Sequence, residues 1–203
     1  PPAFPLMSRS LLALIIVASL GAVVPQHLAL GFTHIVPHGL DHVLFILGLF
    51  FLSRDAYTLL LQITLFTVAH SLTLGLVMKG LIAVPTAAVE VAIAVSIAFI
   101  ALENLFQDRL SRWRPWLVFG FGLIHGLGFA HIFEKVPVEP GLLLPALFSF
   151  NLGIELGQIA VVGIAFAVVA AWWRCEWYAR FIARPCSAMI AVTGLYWAVV
   201  RSL

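Results

Sequence analysis

Ionisable side chains of the kinds that bind transition metals stand inside long apolar runs of this sequence. His34, His38, Asp41 and His42 lie within a single hydrophobic stretch. At about 100° per residue they would share one side of a helix, within an arc of about 60–100°. Imidazole and carboxylate suit divalent nickel, cobalt, zinc, copper or iron. An Asp beside a His serves either as a ligand or as the group that orients the ring from behind. A merely structural polar face, satisfied by neighbouring helices, accounts poorly for three His and an Asp in one stripe, because such groups are costly in lipid.

Other runs add candidates. His70 lies in Phe66-Thr67-Val68-Ala69-His70-Ser71-Leu72-Thr73-Leu74. If one run enters near Gly31 and the next leaves near Met78, His42 and His70 sit about 16 Å and about 12 Å from the same face. His70 is therefore expected to complete the cluster, although a lone membrane His is often only a hydrogen bonder. Glu90, Asn151, Glu155 and Gln158 fall at similar depths. A carboxylate there can neutralise a divalent cation, carry a proton or, protonated, bond to a neighbouring helix. His125 lies among Gly120, Gly122, Gly126 and Gly128, a pattern that admits a close helix neighbour, so it either packs or faces the pore. His131 is expected at the outer end of its run, His27 in an outer link, and Glu103 and Asn104 at the inner interface.

The elements that must position these groups follow from composition. Of 203 residues, 63% are hydrophobic and 10% charged, against about 25% charged in a soluble domain. A water-soluble globule is excluded, and a net charge of +2 gives nucleic acid nothing to hold. Cys175 and Cys186 make no CxxC pair and read as buried or interfacial thiols. A span needs about 20 apolar residues, and the runs predict an all-α, polytopic transmembrane bundle of seven spans: 10–28, 32–52, 57–78, 82–106, 115–133, 142–173 and 185–201. The sixth is long enough to tilt or to begin with a lead-in helix. Residues 1–30 form an N-terminal helix, expected as a retained span although Met7-Ser8-Arg9 before an apolar run resembles a signal peptide. Residues 31–203 form the main transmembrane domain.

Seven spans place Arg9, Arg54, Arg109, Arg112, Arg114, Arg174, Arg180 and Arg184 on one side and Lys79, Lys135 and Arg201 on the other. The positive-inside rule then puts the N-terminus in the cytoplasm and the C-terminus outside. His38-Gly39-Leu40 recurs as His125-Gly126-Leu127 three spans later, the spacing of an inverted repeat.

These blocks together resemble the HupE/UreJ family of membrane proteins, associated with hydrogenase and urease systems and regarded as nickel or cobalt permeases. The resemblance covers roughly 31–170. It rests on Gly31-Phe32-Thr33-His34 with His38-Gly39-Leu40-Asp41-His42, on the His70 block, on Glu90 with Ser96, on Gly122-x-x-His125-Gly126-x-Gly128-Phe129, and on Phe150-Asn151-x-Gly153-x-Glu155-x-Gly157-Gln158. It implies His38, Asp41, His42 and His70 as metal contacts, a bacterial inner-membrane location, and partners in metalloenzyme maturation. Asp41-His42 departs from the spacing of the wider nickel/cobalt transporter group, which leaves the first ligand open. The function expected is passage of a divalent transition metal through an intramembrane His/Asp/Glu site. Two other readings share these residues: a membrane metalloenzyme, and a metal- or haem-binding subunit of an oligomer or larger membrane complex.

Overall fold

The computed structural model describes residues 9–53, 55–107, 109–128 and 140–203, and every regular element among them is helical. The helices are α1 (Arg9–Ile35), α2 (Leu40–Leu52), α3 (Ala56–Met78), α4 (Thr86–Phe106), α5 (Arg114–Leu127), α6 (Leu143–Val169) and α7 (Arg184–Val200). A 3-10 turn, Pro140–Leu142, leads into α6, and a π-helical turn, Ala179–Ala183, runs into α7. Helices α3, α4, α6 and α7 with its lead-in are each long and apolar enough to cross a bilayer, and α1 with α2 forms a fifth such element bent by 68°. Their outward side chains, such as Val68, Leu72, Phe99, Phe148 and Ile164, are large, apolar and exposed, as a lipid-facing surface requires.

The break expected between the first two runs, at residues 28–32, is not where the chain bends. Helix α1 continues through Pro25, because a membrane helix tolerates one lost backbone bond. It stops instead before Pro37. That proline has no amide to donate, and its ring pushes Val36 out of helical geometry. The four residues 36–39 separate α1 from α2, which has 13 residues. At about 1.5 Å per residue α2 is about 20 Å long, too short to cross alone. His34 and His42 consequently belong to different helices, and no single helical stripe unites them.

Helix directions can be read from the contacts. Gly153 of α6 lies on Leu28 and Phe32 of α1, and Gly157 lies on Ile35, so α1 and α6 run parallel. Gly122 lies on Phe66 and Gly126 on His70 and Thr73, so α5 and α3 also run parallel. Helix α7 runs antiparallel to α4, with Gly194 on Ala98 and Ser187 hydrogen-bonded to Asn104 at 3.0 Å. A Cβ on Gly153 would strike the Leu28 carbonyl, and one on Gly126 the His70 carbonyl. Glycine is what lets both pairs approach to backbone contact. The α1–α6 pair is thus matched by an α5–α3 pair, and α4 with α7 closes the set. This is the pairing expected of two halves related by a twofold axis in the membrane plane.

The core between them is aromatic and aliphatic, with Phe45, Leu49, Phe50, Ile63, Phe66, Ile97 and Ile100 buried. Beneath it lies a polar knot. Arg114 is 1% exposed. Its Nη1 donates to Glu103 Oε2 at 2.7 Å, Nε to Gln62 Oε1 at 3.2 Å and Nη2 to the Gly48 carbonyl at 3.3 Å. Asn104 donates to the same Gly48 carbonyl at 2.8 Å. Glu103 and Asn104 were expected to reach the interface. They turn inward because a buried guanidinium needs a countercharge and acceptors for its N–H groups.

Candidate metal centre

The break at Pro37 does for the histidines what a continuous helix could not. It folds the start of α2 against the end of α1 and so brings the His34 and His42 rings to 4.8 Å, edge to face. The His42 ring is the hub of the group. It lies 5.0 Å from His125 of α5 and 5.8 Å from His70 of α3, again edge to face. Four imidazoles from four helices thus meet inside the bundle. His42 and His70, expected at similar depths, are neighbours.

A cavity of about 430 Å³ opens beside this group, lined by His34, His38, Asp41, His42, Glu90 and His125 among others. His42 and His125 form its deep end and are 6% and 1% exposed, whereas His38 and Glu90 are exposed. His70 stands behind His42, outside the lining.

Hydrogen bonds set which ring nitrogens carry lone pairs. The Ser96 hydroxyl donates to the Ile93 carbonyl at 2.7 Å and has no second proton. It therefore accepts from His125 Nε2–H at 2.9 Å, and the neutral ring keeps its lone pair on Nδ1. That Nδ1 is buried without a hydrogen-bond partner, as is His42 Nε2. Such atoms are costly in a dry interior unless something binds them. His38 Nδ1 is 3.0 Å from the Thr33 carbonyl; a carbonyl only accepts, so Nδ1 is protonated there and the neutral ring offers Nε2 to the cavity. Ser96 and Thr33 thereby do for these rings what outer groups do for metal-binding His.

The arrangement is a cluster of metal-binding side chains and not a closed coordination sphere. Nickel-like and zinc-like ions need imidazole nitrogens at about 2.0–2.1 Å. Among the described residues no three His, Cys, Asp or Glu side chains already converge to hold one ion. Ring rotation within the cavity would be needed to gather donors around a cation.

Candidates on α6 lie elsewhere. Glu155 accepts from the Thr64 hydroxyl at 2.7 Å and Gln158 from Thr67 at 3.1 Å, which makes a polar seam between α3 and α6. Asn151 donates to the Leu147 carbonyl of its own helix at 2.7 Å. None of the three lines the cavity. His27 is buried, with Nδ1 2.8 Å from the Val23 carbonyl, inside α1 and not in a link. His131 lies outside the described residues.

Two contributors were missed from sequence. Arg201 pairs with both oxygens of Asp41, at 3.0 and 3.2 Å, and Trp197 lines the cavity with its ring 5.0 Å beneath that guanidinium. Both sit at the end of α7, some 160 residues from Asp41, and no local spacing could have joined them. Asp41 is accordingly held in an ion pair and does not point unaccompanied into the cavity.

Comparison with curated proteins gives no match, and neither does comparison with solved structures. A family model described as "HupE / UreJ protein" does match, over residues 12–201, well beyond the stretch in which the motifs were recognisable. Covering nearly the whole chain, that match shows that the protein belongs to the HupE/UreJ family.

Proposed function

We propose that this protein is a permease for a divalent transition-metal cation, nickel or cobalt foremost, in the inner membrane of a bacterium. The observation that carries this reading is the meeting of His34, His42, His70 and His125 beside a cavity that also presents Asp41 and Glu90. The metal is the cargo. A hydrated ion would shed water onto carboxylate at the rim and imidazole below. A site whose ligands must rotate to close suits passage better than storage, because an ion that is carried must also leave.

The direction of the cavity follows from the helix directions. With α1 and α2 as one bent span, and with α5, parallel to α3 though only 14 residues long among those described, taken as a crossing besides the five long apolar elements, six crossings would put both termini on one side. Lys79, Lys135, Arg201 and Arg9 then face seven arginines, Arg54, Arg109, Arg112, Arg114, Arg174, Arg180 and Arg184. The richer side is cytoplasmic, so the cavity, whose rim includes Arg201, faces outward. Only Arg9 changes side relative to a seven-span count, and the N-terminus moves outside with it.

Uptake of nickel and cobalt into proteoliposomes tests the reading. His42→Ala should abolish uptake, and His70→Ala should lower it at least about tenfold, the scale on which lost metal-site partners act. Glu155→Gln, away from the cavity, should stay within about twofold of wild type, since the amide oxygen of Gln still accepts from the Thr64 hydroxyl. Wild-type rates in both His variants, for nickel, cobalt, zinc, copper and iron alike, would remove the permease reading. A tightly held stoichiometric metal with no uptake would point to the metalloenzyme instead.

A further inference from the structure

Arg201 is an unexpected neighbour for a cation site. It lines the same cavity as the histidines, and its Nη2 holds both Asp41 oxygens, at 3.0 and 3.2 Å. The pair is only part-exposed, 22% for Arg201 and 28% for Asp41. Two further contacts hold the guanidinium without using Asp41. Nη1 donates to the Glu90 backbone carbonyl at 3.3 Å, and the Trp197 ring lies 5.0 Å below it. The cavity wall thus carries two carboxylates, Asp41 and Glu90, and one fixed cation, Arg201. An ion that takes Asp41 must first displace a tethered one.

We propose that Arg201 is a built-in competitor for the incoming ion at Asp41, and so a specificity residue that favours divalent over monovalent cations. The inference rests on the permease reading. A monovalent ion replacing the guanidinium exchanges one unit charge for another and loses hydration besides. A divalent ion between Asp41 and Glu90 doubles the attraction to each carboxylate and can repay its dehydration. The displaced guanidinium keeps its places on Trp197 and on the Glu90 carbonyl, so displacement costs the ion pair and not the whole anchorage. Arginine suits this role because its charge is permanent and its two terminal nitrogens serve different partners, Nη2 the Asp41 carboxylate and Nη1 the Glu90 carbonyl.

The test is Ni²⁺ binding by calorimetry to the purified full chain in detergent, with and without Na⁺, for wild type, Arg201→Gln, Arg201→Lys and His42→Ala. Arg201→Gln should bind Ni²⁺ about tenfold tighter, the worth of one charge-assisted contact, and its binding should become sensitive to Na⁺. Arg201→Lys keeps the charge but has one nitrogen where the guanidinium uses two, so it loses the tether to the Glu90 carbonyl and should fall between the two; it carries the test if Arg201→Gln does not fold. A merely structural Arg201, tying α7 to α2, would give unchanged or weaker Ni²⁺ binding in both variants. That result, with binding abolished in His42→Ala, overturns the filter and leaves the permease standing. No binding by wild type, or binding indifferent to His42, overturns both.

Discussion

The polar knot around Arg114 makes a quantitative prediction about what holds together the end of the bundle away from the cavity. Glu103→Ala would remove the carboxylate that, among the described residues, is paired with a guanidinium 1% exposed, leaving Gln62, Asn104 and the Gly48 carbonyl as neutral acceptors. Breaking one side of a buried ion pair costs about 3–5 kcal/mol, because the remaining charge stays uncompensated in a poor solvent. Glu103 retains 10% side-chain exposure, which places the expected loss near the lower end, about 3 kcal/mol. Arg114→Met would remove the charge itself and keep most of the volume, so the double variant should recover about half or more of what Glu103→Ala loses. Glu103→Gln, which keeps an acceptor, should lie between wild type and Glu103→Ala. The assay is equilibrium unfolding in mixed micelles, followed by tryptophan fluorescence. A loss under about 1 kcal/mol for Glu103→Ala, or a double variant no more stable than the single one, would refute the view that charge compensation is what closes this end.

Two further predictions concern packing and capping. Gly153→Val should disrupt the α1–α6 contact, since its Cβ would meet the Leu28 carbonyl; the loss should reach about 2 kcal/mol or more, read in the same unfolding assay, with Gly163→Val, which meets nothing within 4 Å, as the comparison. Asp55 caps α3, accepting from Thr58 N at 2.8 Å and Thr58 Oγ1 at 2.7 Å, and these bonds hold its carboxyl below the usual range. A lowered folded-state pKa stabilises above the ordinary value of about 3.9 and loses that contribution as pH falls through the folded-state pKa. The melting-temperature gap between wild type and Asp55→Ala should therefore be full at neutral pH and shrink in acid; a gap that grows in acid would contradict the cap.

Much of the architecture is a property of composition and local order. With so few charges the chain has no solution but a lipid-facing helical bundle, and hydropathy alone marks where the helices lie, α3 and α4 within a few residues. The residue types at His42, His70 and His125 also announce chemistry, because imidazole in hydrocarbon is costly unless it is used. Location of the first bend was harder to read. Pro25 and Pro37 look alike in sequence, yet only the second breaks its helix, where Gly39 allows the chain to come back against the end of α1. That bend decided that His34 and His42 meet across a corner, and that α1 runs parallel to α6. Tertiary structure likewise decided which polar groups share a space. Glu155 and Asn151 were expected at the depth of the histidines, but Glu155 joins a seam with α3 and Asn151 bonds back to its own helix, whereas Arg201 and Trp197 come from the far end of the chain to the cavity rim. Depth along a helix is one-dimensional and can be counted from residues. Azimuth and partner depend on how helices roll against one another, and that is set by the summed packing of backbone-to-backbone contacts at glycines such as Gly126 and Gly153, which no local pattern records.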